Sequence, residues 1–94
     1  MLYEKLNYIL TIAEEQNLTR AAKRLFISQP TLTLYLNRLE AELGVKLFDR
    51  SKSPITLTDA GKYYIDEMKK ISASEQLLRN DIKLIANPAH GARV

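Results

Sequence analysis

The side chains with usable chemistry gather in one short stretch. Ser28, Gln29, Thr31 and Thr33 bring hydroxyls and a primary amide close together. Such groups donate and accept hydrogen bonds, which suits base edges and phosphate oxygens. An uneven charge pattern surrounds them. From Gln16 to Leu39 there is no acidic residue, while Arg20, Lys23, Arg24 and Arg38 are basic. Acids stand on either side, Glu14 and Glu15 before, Glu40 and Glu42 after. A second basic cluster, Lys46, Arg50 and Lys52, is offset by Asp49 alone. Local basic patches on a nearly balanced chain are what a phosphate-contacting surface needs. A solvated positive face with no partner fits the same charges.

Catalysis finds little to work with. There is no cysteine, hence no disulfide, thiolate metal site or thiol nucleophile. One histidine, His90, makes neither a histidine-pair metal site nor a hydrolase-type triad. No glycine-rich loop cradles a phosphate. The expectation is a protein that is not an enzyme and takes no cofactor and no metal. Its 94 residues make one small domain, or a small domain with an appendage. A chain of this size buries about 60–65% of its unfolded surface, which leaves little room for a cleft beside a core. With 46% hydrophobic and 27% charged residues, the composition is that of a folded soluble protein. No apolar run approaches the roughly eighteen residues of a membrane span. The start, Met1–Leu6, contains Glu4 and no apolar run, so no secretory leader is expected. Together with the missing cysteine this predicts a cytoplasmic location. A net charge of +3 is too mild to identify a partner.

The elements that must hold these residues can be read from periodicity. Leu2, Leu6, Ile9, Leu10 and Ala13 form a helical stripe that ends near Asn17. Thr19 or Asn17 caps a short helix, Arg20 to Leu25, whose inner face is Ala21 and Ala22. Small side chains there let another helix cross closely. Ser28 caps the third helix, with Pro30 in its first turn. That helix runs from Thr31 to Leu43, with Leu32, Leu36, Leu39 and Leu43 as its buried stripe. Pro30, Thr33, Leu34, Asn37, Arg38 and Ala41 fall on the opposite side, and Gly44 supplies the stop. Val45–Arg50 and Ile55–Leu57 read as two strands around a turn at Ser51–Pro54, with Pro54 confined to an edge. A lone hairpin must pack on the helices to be stable.

Thr58 caps a fourth helix, with Asp59 in its first turn. Nothing stops this helix before Asn87–Pro88, giving roughly 28 residues and about 42 Å. Tyr64, Met68, Ile71, Glu75, Leu78, Ile82 and Ile85 recur at alternating steps of four and three, a heptad seam with one polar member. Either the helix folds back over its own domain or its far end packs on another chain. Its length, and the mutually matched stripes of residues 2–57, favour the second. Residues 88–94 read as a flexible tail.

This order of elements predicts a mainly α chain: a winged helix-turn-helix of three helices plus a two-stranded wing, then a long helix. A major groove admits one helix, braced by the helix before it. The basic turn with Arg50 and Lys52 would lie over flanking backbone or minor groove.

The residues also carry a resemblance. The run from Ala21 to Pro30 resembles the helix-turn-helix core of LysR-type transcriptional regulators. Leu39 to Arg50 resembles that family's recognition-helix end and first wing strand, and Leu57-Thr58-Asp59-Ala60-Gly61 its junction with the linker helix. The resemblance covers residues 2–87. It implies a DNA-binding domain over 1–58 and a linker helix over 59–87 that pairs antiparallel with its counterpart. It also implies a homodimer bound to double-stranded promoter DNA, away from membranes. By position, Gln29, Pro30, Thr31, Thr33 and Leu34 would face the groove beside Asn37 and Arg38. Arg50, Lys52 and Ser53 would meet backbone or minor groove, and Ser28 would cap the recognition helix near a phosphate. Tyr64, Met68, Ile71, Leu78, Ile82 and Ile85 would form the dimer seam.

The chain departs from the family pattern in places. Thr33 stands where serine is frequent. Leu34 replaces an arginine or other polar residue, so contact there would be apolar, as with a thymine methyl. A further wing arginine near Ser53 is absent. Family members continue into an effector-binding domain, so the chain is expected to be the DNA-reading part of a longer regulator. A small-molecule effector would belong to that other domain. An alternative is an interaction module that no longer binds DNA, motivated by Leu34 and Tyr35 on or near the outer face.

Overall fold

The computed structural model describes Leu2 to Ala86, with side chains from Glu4 onward. The expected tail at 88–94, His90 and the Asn87–Pro88 stop lie outside the described residues. Helix α1 spans Leu2–Glu15, α2 Leu18–Arg24 and α3 Gln29–Leu43. Strands β1 (Phe48–Asp49) and β2 (Thr56–Leu57) precede α4, Asp59–Ala86. The strands pair antiparallel, Phe48 opposite Leu57 and Asp49 opposite Thr56. They are shorter than their apolar runs predict.

The core is built where the stripes meet. Ile9 and Ile12 of α1, Ala21 and Ala22 of α2, and Leu32 and Leu36 of α3 close on Leu47, Phe48 and Ile65. Each fully buried Leu, Ile or Phe contributes about 1.5–3 kcal/mol relative to exposure. The small alanines of α2 let α1 and α3 approach on either side. Asn17 is the α2 cap, its Oδ1 accepting from the Arg20 backbone N–H at 2.9 Å. The α2 end is closed by Phe26 N–H to Lys23 O (3.2 Å) and Ile27 N–H to Ala22 O (3.0 Å). That pattern requires a left-handed residue, and Phe26 takes it at φ +59°. Phe26 is consequently held out in solvent.

Three expectations are corrected. Leu43 lies 46% exposed, and the buried column of α3 continues through Glu40 instead. Tyr35 is not on the outer face; its ring meets Tyr8 edge-on at 4.9 Å and packs against the core. The fourth helix folds back over its own domain along its near half only. Its near half buries Gly61, Ile65 and Met68 against its own domain. Its far half leaves Leu78 (58%), Ile82 (54%) and Ile85 (60%) exposed.

The Tyr35 hydroxyl is buried with no hydrogen-bond partner among the described residues. Burial pushes its pKa up to about 12, with Tyr64 and Tyr8 adding to the shift. The unfolded chain releases this proton near pH ~10. Stability from the neutral hydroxyl is therefore full below pH ~10 and is lost as pH rises toward 12. Tyr35→Phe removes the unpaired donor, so it should stabilise the chain by about 1 kcal/mol at neutral pH. It should also flatten part of the alkaline loss, measured by urea unfolding at pH 7 and pH 10.5.

Candidate nucleic-acid interface

The surface with recognition chemistry is built on the N-terminal half of α3. Ser28, extended at φ −75° and ψ 152°, caps it by accepting from the Thr31 N–H at 3.2 Å. Its Oγ donates to Thr31 Oγ1 at 2.8 Å. Gln29 Nε2 donates to Thr33 Oγ1 at 2.5 Å, which leaves the Gln29 carbonyl oxygen and one amide hydrogen outside that bond. Gly44 ends the helix in the left-handed region at φ +74°.

Of the expected groove residues, Ser28, Pro30, Thr31, Leu34, Asn37 and Arg38 are exposed, while Gln29 and Thr33 are half-buried. Leu34 is an apolar spot in this row, 50% exposed. No acidic side chain interrupts the row from Ser28 to Leu39.

The basic residues divide. Arg24 pairs with Glu14 at 2.7 Å and Glu15 at 3.0 Å, and Arg20 reaches Glu15 at 3.6 Å. Those contacts raise the Arg24 pKa further, Glu14 first and Glu15 second. Half of the acid-free stretch is therefore neutralised by the end of α1. Lys23 and Arg38 form no ion pair among the described residues.

Arg50 was expected to reach toward flanking backbone. Its guanidinium is instead turned onto α3, where Nη2 donates to Glu40 Oε1 at 2.6 Å and Asn37 Oδ1 at 2.9 Å. Glu40 is the residue that sequence reasoning missed. Its side chain is 3% exposed, and Oε2 accepts from the backbone N–H groups of Leu47 (2.7 Å) and Phe48 (3.2 Å). Lys46 Nζ lies 3.7 Å from Oε1. This one carboxylate ties α3 to Leu47 and the start of β1. A signal existed in the four-residue steps Leu32, Leu36, Glu40, which put a carboxylate on the buried column.

The wing is fastened at its base as well. Thr58 Oγ1 donates to Lys46 O at 2.7 Å and accepts from Gly61 N–H at 3.0 Å. Gln16 O accepts from Ile55 N–H at 3.2 Å. At the tip, Asp49 Oδ1 accepts from the Ser51 hydroxyl (2.6 Å) and N–H (2.9 Å), holding the Asp49 carboxyl below its ordinary pKa. Lys52 and Ser53 are exposed there.

The expected seam on α4 splits. Tyr64 and Met68 pack in their own domain, whereas Ile71, Leu78, Ile82 and Ile85 are each at least 47% exposed. A shallow groove of about 330 Å³ between Leu43, Val45, Tyr63 and Ile71 lies at the near end of this stripe.

A three-helix core with α2 bracing α3, and a hairpin beside the exposed face of α3, is a winged helix-turn-helix. Residues 3–62 match the family model described as "Bacterial regulatory helix-turn-helix protein, lysR family". The chain belongs to that family. It is 48% identical over 68 residues to BsdA of Bacillus subtilis, an HTH-type transcriptional regulator, covering 71% of this chain and 23% of that one. It is 42% identical over 71 residues to the HTH-type transcriptional regulator TcbR of a Pseudomonas species, covering 76% of this chain and 24% of the relative. The chain thus spans about a quarter of the length of these curated relatives. Among solved structures, the CbnR_DBD–DNA complex matches with a TM-score of 0.81 and 36% identity, over 93% of this chain and 100% of that one. BenM_DBD with catB site 1 DNA matches at 0.83 and 31%, over 99% of each chain.

Proposed function

We propose that this chain reads double-stranded promoter DNA as part of a dimeric transcription regulator. The observation that carries it is the exposed face of α3: a capped N-terminus, hydroxyl and amide groups, Arg38, and no acid from Ser28 to Leu39. In this reading α3 enters the major groove with Gln29, Pro30, Thr31, Thr33, Leu34 and Asn37 toward the bases. The Ser28 end offers backbone N–H groups to a phosphate, and Arg38, Lys52 and Ser53 follow the backbone. The chain works by binding rather than catalysis, in the cytoplasm where a bacterial promoter is found. No helix among the described residues is long and apolar enough to cross a membrane.

The test is anisotropy titration against duplexes selected from a random library. Phosphate contacts make affinity fall steeply as salt rises. Gln29→Ala should cost about 1–3 kcal/mol at one base pair and little elsewhere. Salt-independent binding, or equal losses on every sequence, contradicts this assignment.

The same reading pairs the far half of α4 with that of a second copy, since Ile71, Leu78, Ile82 and Ile85 stand about half exposed or more among the described residues. An antiparallel partner would also lay its far half along the Leu43–Ile71 groove. Leu78→Glu with Ile82→Glu should give a monomer by light scattering. A wild-type chain that is monomeric at high micromolar concentration rejects the pairing.

A further inference from the structure

We propose that Glu75 and Arg79 set the direction and register in which α4 pairs with a second copy, by forming two reciprocal ion pairs across the twofold axis. The inference rests on the pairing reading above and sharpens it. The seam is symmetric in its spacing. Met68, Ile71, Glu75, Leu78, Ile82 and Ile85 follow at three, four, three, four and three residues, which reads the same from either end. One antiparallel register therefore matches every member. Met68 faces the partner's Ile85, Ile71 the partner's Ile82, and Glu75 the partner's Leu78. That register also brings the partner's Ile85 over the apolar groove that Met68 lines with Leu43, Val45 and Tyr63.

Glu75 is the charged member of this seam, and a carboxylate among apolar residues needs a cation. Arg79 follows one turn later, on the flank of the seam toward which Glu75 also leans. Within one chain the contact is loose: Arg79 Nη2 lies 3.8 Å from Glu75 Oε2, with the side chains 47% and 27% exposed. That flank borders an open groove of about 1000 Å³, which also runs past Leu6, Ser72 and Ile82 and leaves space for a second guanidinium. In an antiparallel pair the twofold axis makes each flank face its own copy. The partner's Arg79 then comes level with Glu75 to within one residue, about 1.5 Å along the axis. Sliding to either neighbouring heptad register moves it six to eight residues away, at least about 9 Å. A parallel pair sets Glu75 against its own copy, like charge on like charge, and brings no far-half residue to the groove. A polar seam residue with charged neighbours on the flank fixes register and orientation in this way, at a cost in stability.

The chain has no cysteine, so introduced thiols report the pairing directly. An equimolar mixture of Ile71→Cys and Ile82→Cys chains, treated with a short bis-maleimide, should give the mixed dimer as the main product. Neither chain alone should link, because like-substituted sulfurs lie about 16 Å apart along the axis. The charges are tested by light scattering, with folding checked by circular dichroism. Glu75→Arg and Arg79→Glu should each weaken self-association about tenfold or more. Mixing the two variants restores opposite charges across the axis, so dimer should return to near wild-type strength and keep the 71–82 link. Glu75→Leu should strengthen association and lose its direction, so that the Ile71→Cys chain now links to itself. Self-linking of the Ile71→Cys chain with Glu75 in place overturns the inference. So do charge variants that associate as wild type does, a mixture that stays as weak as its parts, or a Glu75→Leu chain with the wild-type linking pattern. A wild-type chain that is monomeric at high micromolar concentration overturns the pairing reading as well, whereas a dimer linked at other positions overturns the register alone.

Discussion

Glu40→Ala should destabilise the chain by about 3–5 kcal/mol, the range for removing one partner of a buried ion pair. The carboxylate serves two strand N–H groups, Arg50 and, more distantly, Lys46. Truncation leaves the Leu47 and Phe48 N–H groups buried without an acceptor, each at about 1–3 kcal/mol. It also leaves the Arg50 charge against apolar surface. Total stability of a domain this small is of the order of 5 kcal/mol, so much of the population should unfold at 37 °C. Urea unfolding followed by circular dichroism gives the loss directly. Glu40→Gln should fall between, because one amide oxygen replaces two carboxylate oxygens. Replacing Glu40 and Arg50 together with Met and Leu should recover only part of the loss, since the two strand N–H groups remain unpaired. A loss below about 1 kcal/mol for Glu40→Ala would place the pair among weak surface ion pairs instead.

Gly61→Ala should cost about 2–3 kcal/mol, against the ordinary helix preference for alanine. In an unhindered helix, alanine is favoured over glycine by about 1 kcal/mol. Here an added Cβ would stand 2.1 Å from the Leu47 carbonyl oxygen and 2.8 Å from Leu57 Cδ2. That oxygen is backbone and already accepts from Thr58 N–H at 3.0 Å. Relief requires moving α4 away from the β1 lead-in, which opens the contact with Leu57 and strains the Thr58 staple. Overpacking of this kind costs about 1–3 kcal/mol, and more where neighbours cannot yield. At about 4–8 °C per kcal/mol for a domain of this size, the midpoint should drop by about 10–20 °C in a thermal melt. A midpoint that rises would mean helix propensity outweighs the close approach.

Both residues show where sequence reading stops. Gly61 was legible as part of the Leu57–Gly61 block, yet nothing in that block reveals that the oxygen it touches belongs to Leu47. Glu40 sat among flanking acids, and only the folded chain brings Arg50 and two strand N–H groups onto it. The charge pattern misled in a related way. Arg20 and Arg24 lie in an acid-free segment, but α1 ends with Glu14 and Glu15 beside them, which cancels charge that the linear count leaves open. Tyr35 looked outward because it adjoins Leu34. The adjacent position on a helix is about 100° away, which is enough to turn its ring onto Tyr8.

The sequence by itself determined the order of elements, the caps of α3 and α4, and the exposed row on α3. These depend on caps, turn residues and periodicity, which act over a few neighbouring residues. Ser28, Gly44 and Thr58 each do locally what their types predict. Only the tertiary structure decided which groups on that row keep their hydrogen-bonding capacity, where α4 leaves its own core, and which basic residues remain unpaired. Those outcomes depend on contacts between segments far apart in the chain, where a partner 10 residues away, as Arg50 is from Glu40, is chosen by packing and not by spacing.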